Sequence, residues 1–292
     1  MKKFTTDTLF LMRVDSPKNI DQDFYQNRLT FSCPANWLDY ALEQNDETIG
    51  DRYECIFAHL DASDERIYNV KNLHGELLRD QYSITCKPDH TVLLRLETTI
   101  LTPALCFWSL PLQKILSIKT SSFDMDLDVY LKNMNRKAED SKLLMITDCD
   151  KFFSELKKQI PIAVKNNCDN LTSERFSNAF NPTNPFLFKH VCYDQFDQDT
   201  LFYRYNEYLD EMFWKLPSYD VQSELRIALP KINFRQKYGD GTAYEYTKNK
   251  LSVELPGLHN YAHTYSLKEI RYLNFSNYDS AKKECHFCVK GR

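Results

Sequence analysis

The sequence is poor in glycine, which makes up only 6 of its 292 residues. Neither a G-x-G-x-x-G stretch nor a G-x-x-x-x-G-K-[S/T] stretch occurs anywhere in it. Glycines at those spacings let a backbone loop approach and wrap around phosphate groups. Their absence argues against the classical dinucleotide-binding and nucleoside-triphosphatase folds.

Long apolar runs and a strong charge excess are also missing. No stretch approaches the ~20 apolar residues that a membrane-spanning helix requires, and the run Leu9–Met12 is too short for the core of a signal peptide. The formal net charge of -4 does not mark a general nucleic-acid binder, although it allows a local basic patch. The 9 cysteines lack a disulfide framework spacing and fit reduced thiols. We therefore expect a soluble, cytoplasmic protein that does not associate with membranes.

Metal-ligand spacings are scarce. The tail contains Cys285 and Cys288, whose two-residue spacing is one that zinc sites use. A structural zinc site needs a second pair of ligands, and His259 and His263 are the nearby candidates. We predict no metal site, and the sequence leaves open whether Cys285 and Cys288 bind a metal.

Apolar and aromatic residues are abundant, at 42% and 14% of the chain, which is ample for a buried core. Helices and many short strands without regular β-α alternation predict an α+β fold. We predict one domain over residues 1–292, with loop and helical insertions at about residues 116–218. The pattern predicts a helix from Asp150 to Pro161. It also predicts strands over Thr8–Val14, Leu29–Ser32, His90–Glu97, Ala104–Ser109 and Lys142–Thr147.

The most informative stretch runs from Tyr219 to Pro230. It reads as a polar turn that leads into a strand, in which apolar residues alternate with Arg226 and Ala228. A strand's period of two would keep Gln222 and Glu224 on one face, so that an amide and a carboxylate point into the same cleft. Such a pair suits chemistry at a cationic carbon. The alternative is an ordinary exposed turn before a strand.

A resemblance to a known family rests on this stretch. Gln222-Ser223-Glu224, followed by an apolar strand that ends at Pro230, resembles the catalytic turn of mono-ADP-ribosyltransferases. The class in question combines an early Arg, a Ser-bearing strand and a late (Gln or Glu)-x-Glu. The resemblance implies an ADP-ribosyltransferase-like α+β fold, with two packed mixed or antiparallel sheets around a cleft, and NAD as a substrate.

The front half of the chain resembles uncharacterised bacterial proteins found beside phage-defence genes. The shared pattern is a short strand, Ser32-x-Pro34, an aromatic residue, an acidic loop and Gly50–Glu54. The chain is also somewhat similar to the RNA-modifying transferase toxin of toxin–antitoxin–chaperone modules. These resemblances imply a toxin in anti-phage defence, with an antitoxin protein as a partner and a chaperone as a further candidate.

The transferase resemblance assigns roles to individual residues. Glu224 would accept a hydrogen bond from the nicotinamide ribose and stabilise the positive charge that develops as the glycosidic bond breaks. Gln222 would orient the acceptor. Arg13 stands where the class places the Arg that contacts a phosphate or ribose of NAD, and Ser32 matches the Ser-bearing strand.

Further cofactor contacts are expected from aromatic residues near Ser32. Trp37, Tyr40 and Tyr53 are candidates to stack on nicotinamide or on a target base. Core packing is the alternative for each of these rings. Arg52, together with Glu54, either lines the cleft or belongs to a solvated turn.

The acceptor is expected to be a nucleobase of RNA, such as mRNA. An amide cannot act as a base, so Gln222 suits a side-chain amide or a nucleobase amine better than an arginine. The segment Lys231–Tyr238 interleaves cations with aromatic rings, which suits contacts to an RNA strand or protects an exposed edge strand. The rival interpretation of the whole chain is a non-enzymatic sensor or partner-binding component of a defence or toxin–antitoxin system.

Overall fold

The computed structural model describes most of the chain. The described residues are 8–44, 54–68, 82–87, 89–111, 122–167, 171, 181–194, 210–230, 232–238, 243–246, 250–279 and 284–292. The strands are β1 (Thr8–Asp15), β2 (Arg28–Phe31), β3 (Ile56–Asp61), β4 (Tyr82–Cys86), β5 (Thr91–Leu96), β6 (Ala104–Pro111), β7 (Ser122–Asp126), β8 (Lys142–Ile146), β9 (Leu187–His190), β10 (Cys192–Tyr193), β11 (Trp214–Lys215), β12 (Glu224–Ala228), β13 (Arg235–Tyr238), β14 (Ala243–Tyr246), β15 (Leu251–Glu254), β16 (Ala262–Ser266), β17 (Ile270–Asp279) and β18 (Glu284–Gly291). The helices are α1 (Pro17–Tyr25), α2 (Pro34–Gln44), α3 (Glu97–Ile100), α4 (Leu127–Asn133) and α5 (Cys149–Asn166), with short 3-10 helices at Glu65–Tyr68, Asp210–Phe213, Pro217–Gln222 and Leu258–Asn260.

A six-stranded antiparallel sheet with the order β16-β8-β1-β6-β12-β9 forms the centre of the fold. Two three-stranded antiparallel sheets, β18-β17-β7 and β3-β5-β4, accompany it, together with the two-stranded ladders β15-β2, β13-β14 and β10-β11. The mixture of helices with several antiparallel sheets confirms the predicted α+β class. Within residues 116–218, β8 and β9 are strands of the central sheet.

The central sheet is buried on both faces, because the side chains of its strands alternate between two apolar cores. In β1, Leu11 packs into a core with α5 and the β15-β2 ladder, whereas Phe10 and Met12 pack into a second core with the β18-β17-β7 sheet. β12 is buried at all of its positions. Side chains that project from these strands are therefore held by a rigid support.

The helix α5 extends beyond both predicted ends. Asp148, and not Asp150, caps its N-terminus by accepting a hydrogen bond from the Lys151 backbone N–H at 2.9 Å. The helix then continues through Pro161 to Asn166. Ala163 and Val164, beyond the proline, are buried in the core, and this packing offsets the hydrogen bond that the proline removes. In the described part of the chain, no helix is both long and apolar enough to cross a membrane.

Candidate active site

Two neighbouring strands of the central sheet separate and leave a fork. β1 pairs with β6 from Thr8 to Met12, where Met12 lies opposite Trp108. Beyond that point β1 follows β8 as far as Asp15, whereas β6 follows β12 back to Ala104. A cavity of about 270 Å³ lies in the fork and is lined by the diverging ends of both strands. Because each strand is held by its other neighbour, the walls of this cavity are formed before any ligand arrives.

The fork brings together four of the residues that the sequence nominated. Arg13, Ser32, Trp37 and Glu224 all line the cavity, although they belong to different segments of the chain. Tyr40, further along α2, is 42% exposed and lies outside the lining. Arg52 and Tyr53 lie outside the described residues.

Ser32 closes the end of the fork opposite to Trp108. Its backbone N–H donates to the Ala104 carbonyl at 3.0 Å, and its own carbonyl accepts from the Ala104 N–H at 2.6 Å. The Ser32 hydroxyl accepts a hydrogen bond from Asn36 Nδ2 at 3.0 Å. Strand β2 ends at Phe31, so Ser32 follows the strand and is held at the cavity by this backbone bridge.

The turn before Glu224 has an unusual backbone. Gln222 is the last residue of a 3-10 helix, and Ser223 adopts a left-handed conformation with φ 40°. The Ser223 carbonyl accepts hydrogen bonds from the Ser109 N–H at 3.0 Å and from the Ser109 hydroxyl at 3.1 Å. Left-handed backbone costs a non-glycine residue ~1 kcal/mol or more, and these bonds offset that cost.

This turn changes the expected relation between Gln222 and Glu224. A strand's period of two does not apply to this pair, because β12 begins only at Glu224 and the left-handed Ser223 precedes it. The side chain of Gln222 lies outside what the structure describes. The backbone of Glu224 is held in place, since its N–H donates a hydrogen bond to Tyr193 Oη at 2.8 Å.

Glu224 belongs to a buried charge cluster, defined as Glu54, Lys215, Glu224 and Arg226, whose members all line the cavity. Arg226 Nε donates to Glu224 Oε1 at 2.7 Å, and Lys215 Nζ lies 2.9 Å from Glu224 Oε2. Arg226 also pairs with both carboxylate oxygens of Glu54, with 2.9 Å between Nη2 and Oε2. The Trp37 ring covers the guanidinium, with 5.3 Å between Arg226 Cζ and the ring centroid.

The charge cluster fixes the ionisation of Glu224. Burial by itself would raise the pKa of its carboxyl, but the positive charges of Arg226 and Lys215 and the hydrogen bond from Arg226 hold this pKa well below its usual range. Glu224 is therefore a carboxylate at any physiological pH. It can accept a hydrogen bond and stabilise positive charge, but it cannot donate a proton.

The depressed pKa of Glu224 predicts a loss of stability in acid. A carboxyl whose pKa is lower in the folded than in the unfolded state stabilises the fold above its ordinary pKa of ~4.3, and this contribution is lost as the pH falls further. We expect the melting temperature to fall between about pH 5 and pH 3, and to fall less in Glu224→Gln, which lacks this titration. Thermal denaturation of both proteins across that range tests the prediction, which equal pH dependence would contradict.

Arg13 is held in front of the cavity by two carboxylates. Its Nη1 donates to Asp23 Oδ2 and its Nη2 to Asp15 Oδ2, both at 2.9 Å. Burial opposes the ionisation of Asp15, but Arg13, the Ser16 N–H, Asn19 and Arg136 together lower its pKa. Asp15 is thus an anion that lines the cavity beside Arg13.

Sequence reasoning missed two members of the charge cluster, Arg226 and Lys215. Arg226 carried a usable signal, because a residue two positions after Glu224 on a strand shares its face. The sequence leaves Glu54 either in the cleft or in a solvated turn, and the structure places it at the cavity with 2% exposure. Lys215, which is buried on β11, had no local signal.

The zinc spacing of the tail lies on β18. Cys288 pairs with Asn274 of β17, and its Sγ lies 3.8 Å from Asn274 Oδ1. Among the described residues, no three His, Cys, Asp or Glu side chains come together in a way that would hold a metal ion.

Comparisons with known proteins add no family to this picture. No family model, curated protein or solved structure matches the chain. The chemistry of the cavity and the motif resemblance of its residues are therefore what support a function.

Proposed function

We propose that the protein is an NAD-dependent mono-ADP-ribosyltransferase with an ADP-ribosyltransferase-like fold. The observation that carries the proposal is that Arg13, Ser32 and Glu224 line one cavity together with Trp37. These are the Arg, the Ser and the Glu of the motif pattern. Because they lie on separate segments of the chain, they can line one cavity only if the fold brings them together.

The negative charge on Glu224 suits the transfer of ADP-ribose from NAD to an acceptor. The bond between the ribose C1′ and the nicotinamide nitrogen breaks, and its electron pair leaves with nicotinamide, which becomes neutral. The positive charge that develops on the ribose is stabilised by the Glu224 carboxylate, which also accepts a hydrogen bond from a ribose hydroxyl. The acceptor then forms a bond to C1′ and loses a proton.

The cavity suits one end of NAD. Pockets that enclose a drug-sized molecule start at ~300 Å³, so a volume of about 270 Å³ fits the nicotinamide and its ribose. Trp108 and Trp37 supply aromatic lining for this end. The diphosphate then lies towards Arg13, whose forked donors match phosphate oxygens.

The β13-β14 hairpin supports RNA as the acceptor. In the backbone register of the two strands, Arg235 pairs with Tyr246 and Lys237 pairs with Tyr244, so cationic positions of one strand lie beside aromatic positions of the other. Cations with neighbouring aromatic rings suit phosphate contacts and base stacking along a single strand. A toxin that modifies RNA in anti-phage defence requires an antitoxin partner, and this remains part of the proposal.

Tryptophan fluorescence gives a direct test of NAD binding, because two of the 3 tryptophans, Trp37 and Trp108, line the cavity. We expect a saturable change in emission on titration with NAD and a smaller change with ADP-ribose, which lacks nicotinamide. The absence of any change, together with the absence of heat in calorimetric titration, would overturn the proposal.

Replacing Asp15 by Asn should tighten NAD binding. The Asp15 carboxylate occupies Arg13 Nη2 and repels the diphosphate, whereas Asn keeps an oxygen for the Ser16 N–H. A partly exposed ion pair contributes up to ~1 kcal/mol, so the Kd should fall by up to about fivefold. The same fluorescence titration measures it, with Asp124→Asn, an exposed carboxylate paired with Lys290, as the control. Weaker binding by Asp15→Asn would contradict the placement of the diphosphate.

A further inference from the structure

The guanidinium of Arg226 is locked in place by its surroundings. Nε and one Nη2 hydrogen point to Glu224, at 2.7 Å and 3.3 Å. The other Nη2 hydrogen and one Nη1 hydrogen point to Glu54, and the remaining Nη1 hydrogen bonds the Met212 carbonyl. All five N–H donors of the side chain are thus used, and the Trp37 ring covers its face.

Glu54 is itself held in place by a residue of the β3-β5-β4 sheet, which is separate from the central sheet. It directly precedes the β3-β5-β4 sheet, and its carbonyl accepts a hydrogen bond from Arg95 Nε on β5 at 2.9 Å. Its side chain is 2% exposed. A continuous chain of contacts therefore runs from Arg95 through Glu54 and Arg226 to the Glu224 carboxylate.

Stability alone does not account for this arrangement. Removing a charge from water costs several kcal/mol even after pairing, and apolar replacements of buried ion pairs are often neutral or stabilising. A cluster of four buried charges at a cavity wall is better explained by a requirement of the cavity. That requirement is a carboxylate with a fixed direction.

We infer that Arg226 and Glu54 are positioning residues for Glu224, a role that rests on the proposed transferase function. Glu54 holds the Nη1 and Nη2 edge of the guanidinium, and the adjoining edge of Nε and Nη2 aims the Glu224 carboxylate at the ribose. Lys215 supplies positive charge but, as a single point donor, sets no plane. Loss of the planar Arg226 guanidinium leaves the charge of Glu224 in place, but the orientation of the Glu224 carboxylate becomes variable. Cleavage of the glycosidic bond therefore slows, whereas NAD binding persists.

Two conservative substitutions test the inference on the full chain. Arg226→Lys keeps the positive charge and removes the planar guanidinium. Glu54→Gln keeps the shape of the side chain and removes the negative charge that holds Arg226. We expect kcat for nicotinamide release to fall by about tenfold or more in each variant, since small displacements of a reacting group are costly, while the Kd for NAD changes by less than about twofold. Lys290→Met, at an exposed ion pair, is the control and should match the wild type.

Thermal denaturation accompanies the assay, which is run well below the melting temperature of each variant. If the wild type cleaves NAD and both variants keep its kcat, the positioning role is overturned and the transferase function stands. A loss of NAD affinity as large as the loss of kcat also overturns it, because that result indicates a binding role. If the wild type neither binds nor cleaves NAD, the transferase function fails, and the positioning role fails with it.

Discussion

Glu224→Gln should lower the rate of nicotinamide release by about 10²- to 10³-fold while NAD still binds. Gln has nearly the same shape as Glu, but it lacks the negative charge that stabilises the developing ribose cation, and the loss of one such electrostatic contact has an effect of this size. The comparison of single-turnover rates with fluorescence-derived Kd values separates the two effects.

Glu54→Gln, for which we expect a loss of rate of only about tenfold, is the matched comparison for this experiment, because it removes the same charge from the same buried cluster. Both variants should lose similar stability, whereas the rate should fall far more for Glu224→Gln. Equal losses of rate in the two variants would mean that collapse of the cluster, and not the chemistry of Glu224, is responsible.

Arg226→Met should be the most destabilising substitution in the site. It leaves Glu54 and Glu224 buried with only Lys215 for compensation, and removal of one partner from a buried pair costs about 3–5 kcal/mol. For a domain of this size that corresponds to a fall in melting temperature of about 5–8 °C. Calorimetry or circular dichroism measures the fall.

The double variant Arg226→Met/Glu54→Gln makes the test sharper. It leaves the balanced pair of Glu224 and Lys215, whose Oε2 and Nζ are 2.9 Å apart. We expect it to be more stable than Arg226→Met alone, although it carries an additional substitution. If the double variant unfolds at a lower temperature than the single one, the electrostatic account of the cluster is wrong.

The sequence predicts the scaffold of the site well, because local pattern determines it. The apolar runs at Thr8–Val14 and Ala104–Ser109 and the alternation after Glu224 correspond to β1, β6 and β12. Each carries a period of two or a continuous apolar stretch bounded by proline, and burial on both faces of the sheet enforces that pattern.

The site itself is less predictable, because long-range contacts and backbone geometry build it. The left-handed residue before Glu224 is Ser223, and sequence marks such positions reliably only when they hold glycine. The fork depends on where β1 exchanges partners, which no local pattern encodes. Glu54 and Lys215 reach Glu224 through tertiary packing alone.

The central claim is tested most directly by incubating the purified protein with NAD and cellular RNA or protein, and measuring released nicotinamide and ADP-ribose adducts by mass spectrometry. We predict nicotinamide release with an adduct on RNA in the wild type and neither in Glu224→Gln. An adduct found only on protein would support the transferase activity but would show that the acceptor is a protein and not RNA. No NAD consumption with any RNA or protein offered, together with equal cellular toxicity of wild type and Glu224→Gln, would contradict the account and favour a non-enzymatic, partner-binding component of a defence system.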